Sequence, residues 1–132
     1  TMPYQTLNIG IELIAEMAVT HKDTANAYGS GLVEVFATPA MVAFIEKTCL
    51  QLVEPYLDNE ESTVGTEICV QHVKATAVNQ IVWCKAQVVQ VDGRKITFNV
   101  RAWDNNATIG SGTHTRYIIN RTKFMEKLHQ SV

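Results

Sequence analysis

One long amphipathic helix, followed by little except strands, restricts this chain more than any other feature of its sequence. From Pro39 to Leu57 the apolar residues Met41, Val42, Ile45, Cys49, Leu52, Val53 and Tyr56 recur at helical spacing. Thr38 suits the N-cap, and Pro39, with no amide to donate, suits the first helical position. Pro55 kinks or closes the last turn, so the helix is predicted to end near Tyr56 or Leu57. Glu46 falls at the edge of the apolar arc, between Val53 and Leu57, while Lys47, Gln51 and Glu54 take the far side. A carboxylate half inside a core face is costly unless it is paired or used. Glu46 is therefore the first candidate for chemistry.

The remainder reads as β. Ile11 to Thr20 alternates, with Ile11, Leu13, Ala15, Met17 and Val19 on one face. His21 to Gly31 is polar and glycine-bearing, a loop placed to cover a pocket, and Leu32 to Ala37 is an extended approach to the helix. Ser62 to Ala75 alternates with Val64, Ile68, Val70 and His72 on one face. Ile81 to Val91 and Lys95 to Trp103 flank Asp92-Gly93, a strong hairpin signal. Asp104-Asn105-Asn106 is a second turn, Ala107 to Ile119 the last strand, and Thr122 to Gln130 a short closing helix. This order defines an α+β class.

Composition narrows the function. The 132 residues, 46% hydrophobic, suffice for one domain spanning residues 1–132 with a workable core. Thr1 ahead of Met2 reads as an added residue, and no signal-peptide pattern follows. The formal net charge is −2 and basic residues gather only at Arg121, Lys123 and Lys127, so no nucleic-acid partner is expected. Charged residues interrupt every apolar stretch well short of the roughly 20 residues that cross a membrane. Three cysteines, Cys49, Cys69 and Cys84, sit in apolar patterns without metal-ligand spacing and read as reduced thiols of a cytoplasmic protein.

The segments Phe36-Ala37-Thr38-Pro39-Ala40-Met41-Val42, Glu46, Thr63-Val64-Gly65-Thr66, His72, Ala75-Thr76 and Ile109-Gly110-Ser111-Gly112-Thr113-His114-Thr115-Arg116 together resemble the fluoroacetyl-CoA thioesterase family. The likeness runs from about Gly31 to Arg116 with consistent spacing. It implies a hotdog fold, in which one long central helix is wrapped by an antiparallel sheet and two chains pair through their sheets. It implies hydrolysis of a small acyl-CoA thioester with Thr38, Glu46 and His72 as the catalytic set. Gly65 matches a glycine near the acyl group, and Arg116 matches an arginine in the last strand. CoA arrives as part of the substrate, and no separate cofactor or metal is implied. One departure stands out: family members acting on fluoroacetyl-CoA carry phenylalanines in the loop before the helix. Here the stretch is Gly29-Ser30-Gly31-Leu32, beside Tyr28, which predicts a roomier or differently closed acyl pocket.

Thioester hydrolysis needs a nucleophile, a base and donors for the oxyanion. A threonine hydroxyl requires a neighbouring base, and histidine, with an ordinary pKa near 6.5, is suited to that task. Glu46 would orient the His72 ring in a triad; alternatively Glu46 or His72 activates water and Thr38 positions substrate. Thr38 and Glu46 lie eight residues apart, roughly 12 Å along a helix at about 1.5 Å per residue. Either His72 bridges them or a twofold axis joins one chain's Thr38 to the other's Glu46, so a homodimer or a dimer of dimers is expected. Free amides at the Pro39 helix start favour an oxyanion or a phosphate.

Each residue also has a plainer reading. Thr38 alone is a helix cap, Glu46 an edge residue reaching water, and His72 a core or interface histidine. Arg116 could bind CoA phosphate, shape the site or pair with Glu46, and His114 is read as structural. The competing functions are hydration of an enoyl-CoA, for which no motif is present, and a non-catalytic acyl-CoA or small-ligand binding protein.

Overall fold

A computed structural model describes residues 6–131; the reading of Thr1 lies outside the described residues. Strand β1 (Glu12–Ala18) leads through a 3₁₀ turn (His21–Asp23) and a one-turn helix α1 (Ala25–Tyr28) to the long helix α2 (Thr38–Val53). Four strands follow, β2 (Glu61–His72), β3 (Ile81–Asp92), β4 (Lys95–Trp103) and β5 (Thr108–Asn120), then helix α3 (Arg121–Gln130). All pairings are antiparallel in the order β1-β3-β4-β5-β2, so β1 and β2 are the two edges. This is the expected α+β hotdog architecture.

Alternation builds the concave face. Val82, Cys84, Ala86 and Val88 of β3 and Ile96, Phe98, Val100 and Ala102 of β4 all turn inward and are buried. Against them α2 lays Ala40, Met41, Phe44, Ile45, Thr48, Cys49, Leu52 and Val53. Each fully buried Val, Ile or Phe side chain contributes about 1.5–3 kcal/mol, so this seam is the main anchor of the helix. Gly110 sits where a Cβ would come within 2.8 Å of Met41 Sδ and Cε, so its bareness sets the approach of β5 to α2. Glu46 is half-buried at the rim of the seam, as its place on the wheel predicts.

Four local expectations need correction. The loop from His21 to Gly31 contains the two short helical turns. Thr20 anchors the first through Asp23 Oδ2 at 2.8 Å, and Thr24 caps the second by accepting from Ala27 N–H at 3.1 Å. The α2 N-cap is Ala37, not Thr38: the first intrahelical bond runs from Met41 N–H to Ala37 C=O, 2.9 Å. The hairpin turn is Gly93-Arg94, because Asp92 still pairs with Lys95, and Gly93 takes φ +61°. Finally, β2 stops at His72, and a bulge between Gly65 and Glu67 reverses its alternation. Thr63 and Gly65 face inward before the bulge and Ile68, Val70 and His72 after it, so Val64 lies on the opposite face from His72. Pro55 acts as predicted, drawing the end of α2 into a 3₁₀ turn (Glu54–Tyr56). Among the described residues, no helix is long and apolar enough to cross a membrane.

Candidate active site

The side chains singled out from the sequence fall into two groups. The first is a pair. Thr38, in the first turn of α2, directs its hydroxyl away from the helix amides, and Oγ1 lies 2.8 Å from Nδ1 of His72 at the end of β2. The group that a cap would turn back on its own helix is thus committed to an imidazole 34 residues away. Phe36, fully buried, meets the His72 ring edge-on with centroids 6.4 Å apart. Burial lowers the His72 pKa below its ordinary value, partly opposed by the Lys74 backbone beside the ring. Its Nε2 is buried and has no hydrogen-bond partner among the described residues, so Glu46 of the same chain does not orient it.

The pair opens into a cleft of about 360 Å³ lined by Ser30, Val35, Phe36, Pro39, Lys74 and Ala75 among others. A second cleft of about 370 Å³, between β1 and α2, contains none of the candidate site residues, and its wall includes Tyr28. Tyr28 thus stands away from the cleft at Thr38, whose one aromatic beside the His72 ring is Phe36, and Leu32 stands 94% exposed.

The second group surrounds Arg116 on β5. Its Nε donates to Thr63 Oγ1 at 2.7 Å, Nη2 to the Thr63 carbonyl at 2.9 Å, and Nη1 to His114 Nε2 at 3.1 Å. His114 Nδ1–H in turn donates to the Glu67 carbonyl at 2.7 Å, so its partners fix a neutral ring. Burial, with the Arg116 charge adding to it, lowers the His114 pKa. Gly65 lies directly over this group: a Cβ there would come within 3.1 Å of His114 Cε1 and 3.3 Å of Arg116 Nη1. Glu46 is near enough for its charge to act on Arg116, His114 and Cys49, yet it forms no ion pair among the described residues. Burial raises the Cys49 thiol far above its ordinary range and Cys84 to about 11, so neither is poised as a nucleophile. Among the described residues no cluster of His, Cys, Asp and Glu is arranged to hold a metal.

The structure thus joins Thr38 to His72 and gathers Glu46, Gly65 and Arg116 elsewhere. Sequence reasoning missed Thr63 as the anchor of Arg116. It sits one bulge away from the visible pattern of β2, and nothing local marks it.

The low pKa values have a consequence for stability. An unfolded chain protonates both histidines near pH 6.5, whereas the folded chain resists doing so until lower pH. The unfolded state then binds more protons, so stability is full above about pH 6.5 and declines as pH falls through the folded values. Thermal unfolding is expected at a lower midpoint near pH 5 than near pH 7.5, and a flat profile over that range would contradict the neutral assignments. Carboxylates held below their ordinary range add their loss only further into acid, below about pH 4.

One long helix wrapped by an antiparallel sheet is the hotdog fold, and relatives at 34% identity or more make the chain a hotdog-fold thioesterase. The chain belongs to the fluoroacetyl-CoA-specific thioesterase family: the model of that family, FlK, matches residues 19–122. A fluoroacetyl-CoA thioesterase of Streptantibioticus cattleyicolor is 42% identical over 97 residues, covering 74% of this chain and 70% of that protein. The crystal structure of the fluoroacetyl-CoA thioesterase FlK superposes with a TM-score of 0.91 at 34% identity, over 97% of this chain and 99% of that one. A threonine-to-alanine variant of FlK in complex with fluoroacetate gives a TM-score of 0.90 at 33% identity, over 96% and 99%. A Thermus thermophilus thioesterase superfamily member, 23% identical with a TM-score of 0.87 over 96% and 93%, shares the fold.

Proposed function

We propose that the chain hydrolyses a small acyl-CoA thioester to CoA and a short carboxylate, at a site completed by a second copy. The observation that carries this reading is the 2.8 Å contact between Thr38 Oγ1 and His72 Nδ1 at the mouth of a cleft. With Nδ1 unprotonated, the hydroxyl donates to it. As Thr38 Oγ bonds to the thioester carbon, its proton passes to Nδ1 and the carbonyl oxygen becomes an oxyanion. Amides of the first turn of α2, which lack intrahelical acceptors, would receive that charge. Collapse breaks the C–S bond, and the departing thiolate takes the proton from His72. Water then attacks the acyl-threonine, giving one proton to the same ring; the bond from the acyl carbon to Thr38 Oγ breaks, Oγ takes that proton back, and the carboxylic acid leaves and gives its remaining proton to solvent. No cofactor is required beyond the CoA that the substrate carries.

The second copy follows from the separation of the two groups. Gly65 and His72 lie seven residues apart on β2, roughly 23 Å at about 3.3 Å per residue. Within one chain they are too far apart to serve the same carbonyl. Yet β2 is an edge strand with Gly65, Thr66, Glu67, Cys69 and Gln71 exposed. Two antiparallel β2 strands about a twofold axis near their middle would set the His72 end of one beside the Gly65 end of the other. Glu46, Gly65 and Arg116 of the partner copy would then face the Thr38–His72 pair, with Glu46 assisting the water step. A cytoplasmic location fits the three free thiols, Cys49, Cys69 and Cys84.

The test is thiol release from acetyl-, fluoroacetyl- and longer acyl-CoA esters, with Thr38→Ala as control. Turnover is expected on several short esters, because the stretch Gly29-Ser30-Gly31-Leu32 brings no aromatic to the cleft, and it should be lost in the variant. CoA esters that bind without turnover would make the chain a binding protein instead.

A further inference from the structure

Asp104 follows β4 in what reads from the sequence as an ordinary turn, but its side chain is fully enclosed. One oxygen, Oδ1, accepts from the backbone N–H groups of Asn106 and Ala107 at 2.9 and 3.0 Å, which is turn chemistry. The other does something a turn does not need. Oδ2 accepts from Lys74 Nζ at 2.8 Å and from Thr76 Oγ1 at 3.0 Å. Four donors on one buried carboxylate hold its pKa well below the ordinary range despite desolvation.

Both partners lead to the Thr38–His72 pair. Lys74 is two residues beyond His72, where β2 has already ended, and its Nζ also donates to the Ala75 carbonyl at 3.1 Å. The Thr76 carbonyl accepts from Phe36 N–H at 2.8 Å, two residues before Thr38. Val73 N–H donates to Ile109 C=O at 2.7 Å, so residues 73–76 are held on both sides although they form no strand. One carboxylate therefore tethers the chain leaving His72 and the chain entering Thr38.

We infer that Asp104 is a positioning residue for catalysis, fixing the Thr38–His72 distance from beneath through two arms, Lys74 and Thr76. The inference rests on the thioesterase reading for its kinetic consequence, but the geometry it asserts is testable without substrate. Contacts within a hydrogen-bonded pair tolerate little drift, because a displacement of about 1 Å at a reacting pair can cost on the order of 10²-fold in rate. Asp104→Asn is the informative variant. It preserves shape and can keep Oδ1 on the two turn amides, but it presents an uncharged NH₂ where Lys74 and Thr76 donate.

The experiment compares wild type, Asp104→Asn, Lys74→Met and, as a control for destabilisation alone, Val88→Ala at the far end of β3. Two quantities are read: steady-state kinetics on the best ester of the panel, and the NMR titration of the His72 ring in the free enzyme. For Asp104→Asn the expected result is a fall of about 10-fold or more in kcat with KM within about 2-fold. The His72 titration should shift upward as the loosened ring hydrates, since burial is the larger cause of its low value; the unpaired Lys74 left by the variant would by itself shift it downward, so the upward shift reports lost grip. Lys74 is the charged side chain sharing the cleft with His72, so Lys74→Met separates the arm's charge from its grip. Losing the neighbouring cation raises the ring pKa directly, but kcat should fall less than in Asp104→Asn because the Thr76 arm remains. Val88→Ala should lose stability and leave both readouts in place. An Asp104→Asn enzyme with wild-type kcat and an unmoved His72 titration would overturn the inference. If the wild-type chain releases no thiol from any ester, the thioesterase reading fails, and the ring titration alone decides whether Asp104 holds the pair.

Discussion

His72→Ala is expected to lose at least ~10²-fold in kcat while keeping the fold, on the scale of general acid–base catalysis. The Thr38 hydroxyl is a poor nucleophile at neutral pH, and Nδ1 of His72, 2.8 Å away, is the one acceptor within hydrogen-bonding distance of it among the described residues. Removing the ring leaves the oxyanion donors and substrate contacts in place, so some catalysis over water persists. Folding should change little. The variant gives up one hydrogen bond and an edge contact with Phe36, but it also removes a buried Nε2 that has no partner among the described residues. The pH profile supplies an independent check. A base must be unprotonated, and burial holds the His72 pKa below about 6.5, so the acid limb of kcat/KM should lie below that value. Wild-type rates in His72→Ala, with matched thermal unfolding, would remove the imidazole from the mechanism.

Glu46→Gln should cost about as much, ~10²-fold, for a different reason. Its carboxylate is half-buried beside Arg116, His114 and Cys49, and it neither bonds to His72 nor forms an ion pair among the described residues. An amide of the same shape keeps the packing and removes the charge and basicity. Mixed oligomers make the outcome decisive. If each site takes Thr38 and His72 from one chain and Glu46 from the other, a dimer of one Thr38→Ala and one Glu46→Gln chain contains one intact site and one doubly damaged site. Random mixing makes half of the dimers mixed, so about one quarter of wild-type activity should return from two nearly inactive parents. No recovery, with exchange of chains verified, would place Glu46 in the same site as its own Thr38 or remove it from catalysis.

The helix, its proline-marked ends and the strands after it were legible because period and turn chemistry are local properties of the chain. Glu46 stood out for the same reason, as a charge at the rim of an apolar arc. What misled was also local. Thr38 before a proline has the form of a cap, and only the arrival of His72 from 34 residues away gives its hydroxyl another partner. Val64, Ile68, Val70 and His72 share a parity in sequence, but the bulge at Gly65/Glu67 inserts one unpaired residue and sends Val64 to the other face. Asp104 looked like a turn residue, which it is at Oδ1; its second oxygen serves residues 28 and 30 positions away.

The sequence alone thus determined the class of fold, the position of the long helix and of each strand to within a few residues, and which side chains were candidates for chemistry. It could do so because periodicity, proline and glycine act on their near neighbours. Tertiary structure decided which of those side chains meet. Thr38 is joined to His72, while Glu46 is left with Gly65 and Arg116 toward the other end of the edge strand. That partition depends on strand register, on one bulge and on where β2 crosses α2. Such long-range pairings are fixed by burial of a whole face rather than by any residue's own preference.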